Sequence, residues 1–217
     1  MRNVRQWMFA LAMVAFVAPA IAQDKKADPH AKPATADKAS ASAMTGASIG
    51  KPAPAFALKG VDGKEVKLAD FAGKIVVLEW SNAVCPFCVR HAKNKTAENT
   101  LAAFKGKNVV WINVDSTATA KADVAKKFMK DNALTAPWLF DPTGATGKAY
   151  GAKTTPHMFV IDAKGMVAYS GAIDDDPRGD KEDARNYVKE AVEALLKGST
   201  VATATTDPYG CSVKYAN

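Results

Sequence analysis

The stretch KIVVLEWSNAVCPFCVRH, Lys74 to His91, decides the fold of this 217-residue chain. Its apolar run, Ile75 to Leu78, has no polar interruption, which is the pattern of a strand covered on both faces. Two cysteines two residues apart follow, and Pro86 stands between them. Proline suits the first turn of a helix, where its missing N–H costs nothing. The pattern predicts a helix from Pro86 to about Phe104, ended at Gly106. The cysteines therefore fall on a strand-to-helix turn. A C-x-x-C pair reads as a redox dithiol, half of a metal site, a peroxide-reducing centre, or two small core side chains.

Outward from this stretch, Asp62-Gly63 separates Phe56–Leu58 from Val66–Leu68 and predicts a β-hairpin. NVVWINVD (108–115) reads as a second buried strand, ATAKADVAKKFMKDN (118–132) as a helix and PWLFD (137–141) as a short strand. After a loop come HMFVID (157–162), a turn at Ala163-Lys164-Gly165, and MVAYSG (166–171). In KEDARNYVKEAVEALLKG (181–198), Tyr187, Val188, Ala191, Val192, Leu195 and Leu196 form the apolar stripe of a last helix. Strands alternating with helices imply an α/β fold with a mixed sheet, parallel at its centre and flanked by helices. The expected domain spans 49–197. The tail, 198–217, has no helical pattern but carries Cys211.

The first residues carry Arg2 and Arg5, an apolar run from Trp7 to Ala18 and the small-x-small triplet Ala20-Ile21-Ala22. That is a signal-peptide pattern with cleavage after Ala22. The apolar run falls short of the ~20 residues that span a bilayer, so no stable membrane insertion is expected after cleavage. Residues 23–48, rich in Ala, Pro, Ser and Lys without periodicity, read as a disordered linker. Losing Arg2 and Arg5 takes the formal charge from +7 to +5, and no basic stripe interleaved with aromatics points to nucleic acid. A periplasmic or secreted location follows, where a dithiol either becomes a disulfide or belongs to a maintained redox pathway.

A helix start changes the chemistry of the two cysteines. Free N–H groups and the positive end of the helix dipole favour a thiolate at Cys85, and C-x-x-C cysteines so placed have pKa values of roughly 3.5–7.5. Cys85 is expected to be the exposed attacking sulfur. Cys88, one turn along, is expected to resolve the mixed disulfide.

GKPAPAFALKGVDGKEVKLADFAGKIVVLEW followed by C-P-F-C, and then TTPHMFVIDAKG, resembles the redoxin branch of the thioredoxin superfamily, from about Ile49 to Lys197. The resemblance implies a thioredoxin-like fold with an N-terminal β-hairpin extension, and thiol–disulfide exchange without a bound cofactor. It implies a cis peptide bond before Pro156, with Thr155 offering backbone groups to a partner beside Cys85. It also implies that Glu79, six residues before Cys85, is a buried acid that takes the proton of Cys88. Arg90 and His91 are expected on a solvated helix face. The expected partners are protein thiols or disulfides and an upstream redox donor or acceptor.

Two alternatives stand beside this. AVCP resembles the peroxiredoxin active site, which implies peroxide as a substrate, but Asn82 occupies the place where that family keeps Thr or Ser. Cys85 and Cys88 with His91 or His157 would suit Cu(I) or Zn, as in a thioredoxin-fold metallochaperone, although no second cysteine pair completes a four-ligand site. Covalent haem is excluded, because Val89 replaces the His of C-x-x-C-H. Cys211 is an additional candidate redox thiol. YGCSVKY resembles a tail segment of redoxin-like proteins in which a C-terminal cysteine resolves, yet Cys88 already offers that role.

Overall fold

A computed structural model describes residues 46–216. The expected signal peptide and nearly all of the expected linker lie outside the described residues. Among the described residues no helix is long and apolar enough to cross a membrane.

The elements are β1 (Ala57–Gly60), β2 (Glu65–Lys67), a 3-10 turn (Leu68–Phe71), β3 (Ile75–Trp80), α1 (Pro86–Lys93), α2 (Thr96–Ala103), β4 (Val109–Asp115), α3 (Ala122–Asp131), β5 (Trp138–Phe140), α4 (Ala145–Tyr150), β6 (Thr154–Thr155), β7 (His157–Ile161), β8 (Val167–Gly171), α5 (Tyr187–Leu196) and β9 (Cys211–Ser212). Seven strands form one sheet in the order β2-β1-β5-β4-β3-β7-β8. β3 and β5 run parallel to β4, whereas β7, β8, β1 and β2 join antiparallel. This is the expected mixed thioredoxin-like sheet with a parallel centre, flanked by helices and extended by the β1–β2 hairpin.

All six residues of β3 are buried, because side chains alternate between two covered faces. Val76, Leu78 and Trp80 pack with Ile112, Val114, Leu139, Tyr150 and Phe159 on one side. Ile75 and Val77 pack with Trp111, Met158, Tyr169 and the α5 residues Val188, Ala191 and Val192 on the other. Glu79 shares that second face by its period, and a carboxylate is thereby carried into apolar surroundings under α1.

The helix expected over 86–104 is instead two. Lys95 takes a left-handed conformation, φ 52°, and the break re-aims α2 so that Ala97 and Leu101 reach the Trp111 cluster. The loop after β5 contains α4, bracketed by Gly144 and Gly151, both at φ 69°. Glycine pays no Cβ penalty there. The last helix begins at Tyr187, the first residue of its apolar stripe, where the Asn186 side chain accepts the N–H of Lys189 at 2.8 Å. Residues 179–181 turn their N–H groups onto the Asp176 carboxylate. The tail is ordered by pairing: Ser170 of β8 donates to the Ala204 carbonyl and accepts the N–H of Thr206, and β9 pairs with β6 as a separate two-stranded sheet.

Candidate active site

After β3 the chain turns through Ser81–Val84 onto α1. Asn82 builds this turn: its side-chain carbonyl accepts the N–H of Val84 at 2.8 Å, its amide donates to Thr117 Oγ1 at 2.7 Å, and its backbone carbonyl accepts the N–H of Cys85. Cys85 is the N-cap of α1 and Pro86 begins the helix. The C-P-F-C motif thus has the predicted strand-to-helix setting.

The two sulfurs are held in opposite protonation states. The Cys85 thiol is pushed down to about 4, first by the hydrogen bond from the Cys88 side chain, with Thr155, Cys211 and the Cys88 backbone N–H adding to it against the cost of burial. Cys88 is held well above the usual thiol range by burial, and further by donating to Cys85 and by the charge of Glu79. One sulfur is therefore a ready nucleophile and the other keeps its proton.

Glu79 is buried rather than at the solvent edge. Burial pushes its carboxyl up to about 7, opposed by hydrogen bonds from the Trp111 indole, whose N–H donates to Oε2 at 3.0 Å, and from Ser81. A cavity of about 20 Å³ is lined by Glu79, Cys88, His91 and Glu98. That is room for about one water, and it joins the acid to Cys88.

Thr155–Pro156 is cis, as the resemblance implied, and it faces α1: the Thr155 carbonyl lies 3.0 Å from Cys85 Sγ. In its protonated state the Cys85 thiol donates to that carbonyl.

Two expectations are overturned. Cys85 is only 4% exposed, because the tail lies over it and brings Cys211 Sγ to 3.0 Å. His91 is not on a solvated face; it is 6% exposed, with Nδ1 3.2 Å from Thr96 Oγ1 and Nε2 3.0 Å from Tyr209 Oη. Tyr209 Oη donates to Asp174 Oδ1, so His91 Nε2 must donate to Tyr209 and Nδ1 must accept from Thr96. Burial accordingly holds the imidazole below its ordinary pKa. Arg90 likewise turns inward to the Asp176 and Pro177 carbonyls at 2.9 and 2.8 Å.

The imidazoles of the metal alternative are committed elsewhere. His157 Nδ1 accepts the Lys153 N–H at 3.2 Å and Nε2 lies 3.3 Å from Ser170 Oγ. Among the described residues no three His, Cys, Asp or Glu side chains converge as a ligand set.

Tyr209, Glu98 and Trp111 escape a sequence reading. Trp111 reads there as a core residue, Glu98 as a helix-surface acid, and only its nearness to Cys211 hints at Tyr209.

Residues 48–188 match the Redoxin family model. A thiol-disulfide oxidoreductase ResA of Bacillus thuringiensis is 32% identical over 119 residues, 55% of this chain and 66% of the relative, so the chain spans just under two thirds of that relative. Peroxiredoxin-2 of Cricetulus griseus is 32% identical over 77% of this chain and 90% of the relative. The thioredoxin domain of a Bacteroides vulgatus thiol-disulfide oxidoreductase superposes with a TM-score of 0.51 at 22% identity, covering 57% of this chain and 87% of that domain. With a family match across most of its length, a thioredoxin-like sheet and a cysteine pair at the start of α1, the chain belongs to the Redoxin family.

Proposed function

We propose that this redoxin is an exported thiol–disulfide oxidoreductase that exchanges with protein partners through Cys85 and Cys88. The Cys85 thiolate attacks one sulfur of a partner disulfide; the S–S bond breaks, and the leaving sulfur takes a proton from solvent. Cys88 then attacks Sγ of Cys85 and gives its proton to Glu79. The second partner thiol leaves, and the Cys85–Cys88 disulfide holds the two electrons' worth of oxidation that the partner lost. The reverse sequence oxidises a partner. A partner's extended chain docks beside Thr155 and Pro156 once β9 yields that edge, and Val84, 73% exposed beside Cys85, offers it an apolar contact.

The observation that carries this reading is the split between the sulfurs, a Cys85 thiol pushed down to about 4 beside a Cys88 thiol held far up. Exchange needs that asymmetry, since only a thiolate attacks and the resolving thiol must wait. The signal-peptide pattern of residues 1–22 supports export. A redox titration of the Cys211→Ser protein tests the reading: a single two-electron transition is expected, and its absence would sink the proposal.

Peroxide reduction is the second reading, favoured by the peroxiredoxin-2 likeness over 77% of the chain. In that case the Cys85 thiolate takes an oxygen from a peroxide, an alcohol or water leaves, and Cys88 displaces water from the sulfenic acid. Asn82, engaged in the turn on both sides of its amide, stands where the family's peroxide-holding hydroxyl would be. Peroxide consumption no faster than that of free cysteine removes this reading.

A further inference from the structure

The tail carries more order than its sequence suggests, and it is aimed at the nucleophile. Thr206 Oγ1 accepts the N–H of Ala172 at 2.8 Å. Tyr209 then crosses α1, its ring 6.0 Å from that of Phe87 and its hydroxyl between His91 and Asp174. Past the site, Val213 donates to the Lys153 carbonyl at 3.1 Å, the Lys214 carbonyl accepts from Ala118 at 2.9 Å, and Tyr215 Oη donates to the Ala152 carbonyl at 2.8 Å.

Between these anchors β9 runs antiparallel to β6, with Cys211 opposite Thr155 and Ser212 opposite Thr154. The edge beside the cis Thr155–Pro156 bond is thus occupied by the chain's own strand. Gly210 permits the approach: its φ is 135°, and a Cβ there would collide with the Thr155 carbonyl. The sulfurs of Cys85 and Cys211 stand 3.0 Å apart, only about 1 Å beyond a disulfide bond of ~2.0 Å. Cys85 and Cys88 are 4% and 2% exposed, whereas Cys211 is half-buried.

We propose that Cys211 is a third redox residue of this protein, an internal partner thiol that exchanges with the Cys85–Cys88 disulfide. The inference rests on Cys85 and Cys88 being an exchanging dithiol. The Cys211 thiol loses its proton to solvent and its sulfur attacks Sγ of Cys85; the Cys85–Cys88 bond breaks as the Cys85–Cys211 bond forms. Cys88 leaves as a thiolate and takes a proton from Glu79. No net oxidation occurs, so no further oxidant is needed. The oxidising equivalent moves from a buried pair to a bond that includes the half-buried Cys211, the sulfur of the three that an external thiol reaches most readily.

Disulfide mapping distinguishes the forms, because Cys85 and Cys88 share the tryptic peptide 75–90 and Cys211 lies in 198–214. The test treats reduced Cys88→Ser protein with glutathione disulfide. Cys85 first forms a mixed disulfide, releasing one glutathione, and Cys211 then displaces the second. The expected product is the peptide pair 75–90/198–214 in monomeric protein, with less than a tenth of the chains glutathionylated at Cys85. In Cys88→Ser/Gly210→Ala, which keeps the thiol but displaces β9, the Cys85 adduct should accumulate at least tenfold more. Persistent glutathionylation of Cys85 in Cys88→Ser without the linked pair overturns the role of Cys211 and leaves the dithiol standing. A Cys85 that does not react at all overturns the dithiol reading and this one with it.

Discussion

The indole N–H of Trp111 donates to Glu79 Oε2 at 3.0 Å beneath the active-site helix, holding an acid that burial lifts to about 7 against the cavity shared with Cys88. A carboxylate of that pKa is half ionised near neutrality and suits proton transfer there. Glu79→Gln should slow release of a mixed disulfide from Cys85 by on the order of 10²-fold and abolish the inflection near pH 7 that is expected in single-turnover measurements on the unaltered protein. Trp111→Phe removes a bond that favours the charged form, so it should move the inflection upward. An unchanged profile in both variants would leave Glu79 a structural acid only.

Cys85 should titrate with a midpoint of about 4, read from thiolate absorbance, so that alkylation is flat above that pH and collapses below it. Cys88 is the largest cause of the depression, and Cys88→Ala should raise the midpoint more than Cys211→Ala. The same shift acts on folding. Between pH 4 and 9 the unfolded thiol binds a proton that the native one lacks, so this group makes the reduced protein more stable as pH rises from 4 to 9 and the gain is lost as pH falls through 4. Cys85→Ser should flatten that part of the denaturation profile.

Tyr209 ties the tail to the body through His91 and Asp174. Tyr209→Phe leaves a buried imidazole N–H without its acceptor, at a cost of about 1–3 kcal/mol measurable by denaturant unfolding. It should also speed alkylation of Cys85 in the native protein at fixed pH. Unaltered protection would mean that the tail is held by its strand pairing alone.

Leu78 and Leu196 make an internal control on the core. Leu78 is fully buried in β3 and Leu196 is 40% exposed at the end of α5. Leu78→Ala should cost about 2–5 kcal/mol, whereas Leu196→Ala should stay within about 0.5 kcal/mol.

The central strands and the C-P-F-C turn were legible because each rests on a local signal: an unbroken apolar run, a proline at a helix start, an Asp-Gly hairpin. The break at Lys95 was not, since no glycine or proline marks it and what favours it is the reach of Ala97 and Leu101 to a distant tryptophan. His91 illustrates the same limit. Its spacing from Cys88 sets the helical face but not what covers that face, and the cover comes from Tyr209, 118 positions away. Leu196 obeys the helical period, yet at the end of α5 it stays 40% exposed.

The β6–β9 pairing also sets a threshold for recognition. A strand carried on the same chain competes at an effective concentration on the order of millimolar, so any protein that docks beside Thr155 must outbid it before its disulfide meets Cys85. Casual encounters with exposed disulfides would rarely succeed. Competition with a resident strand gives selectivity at this edge without a recognition surface tailored to each client.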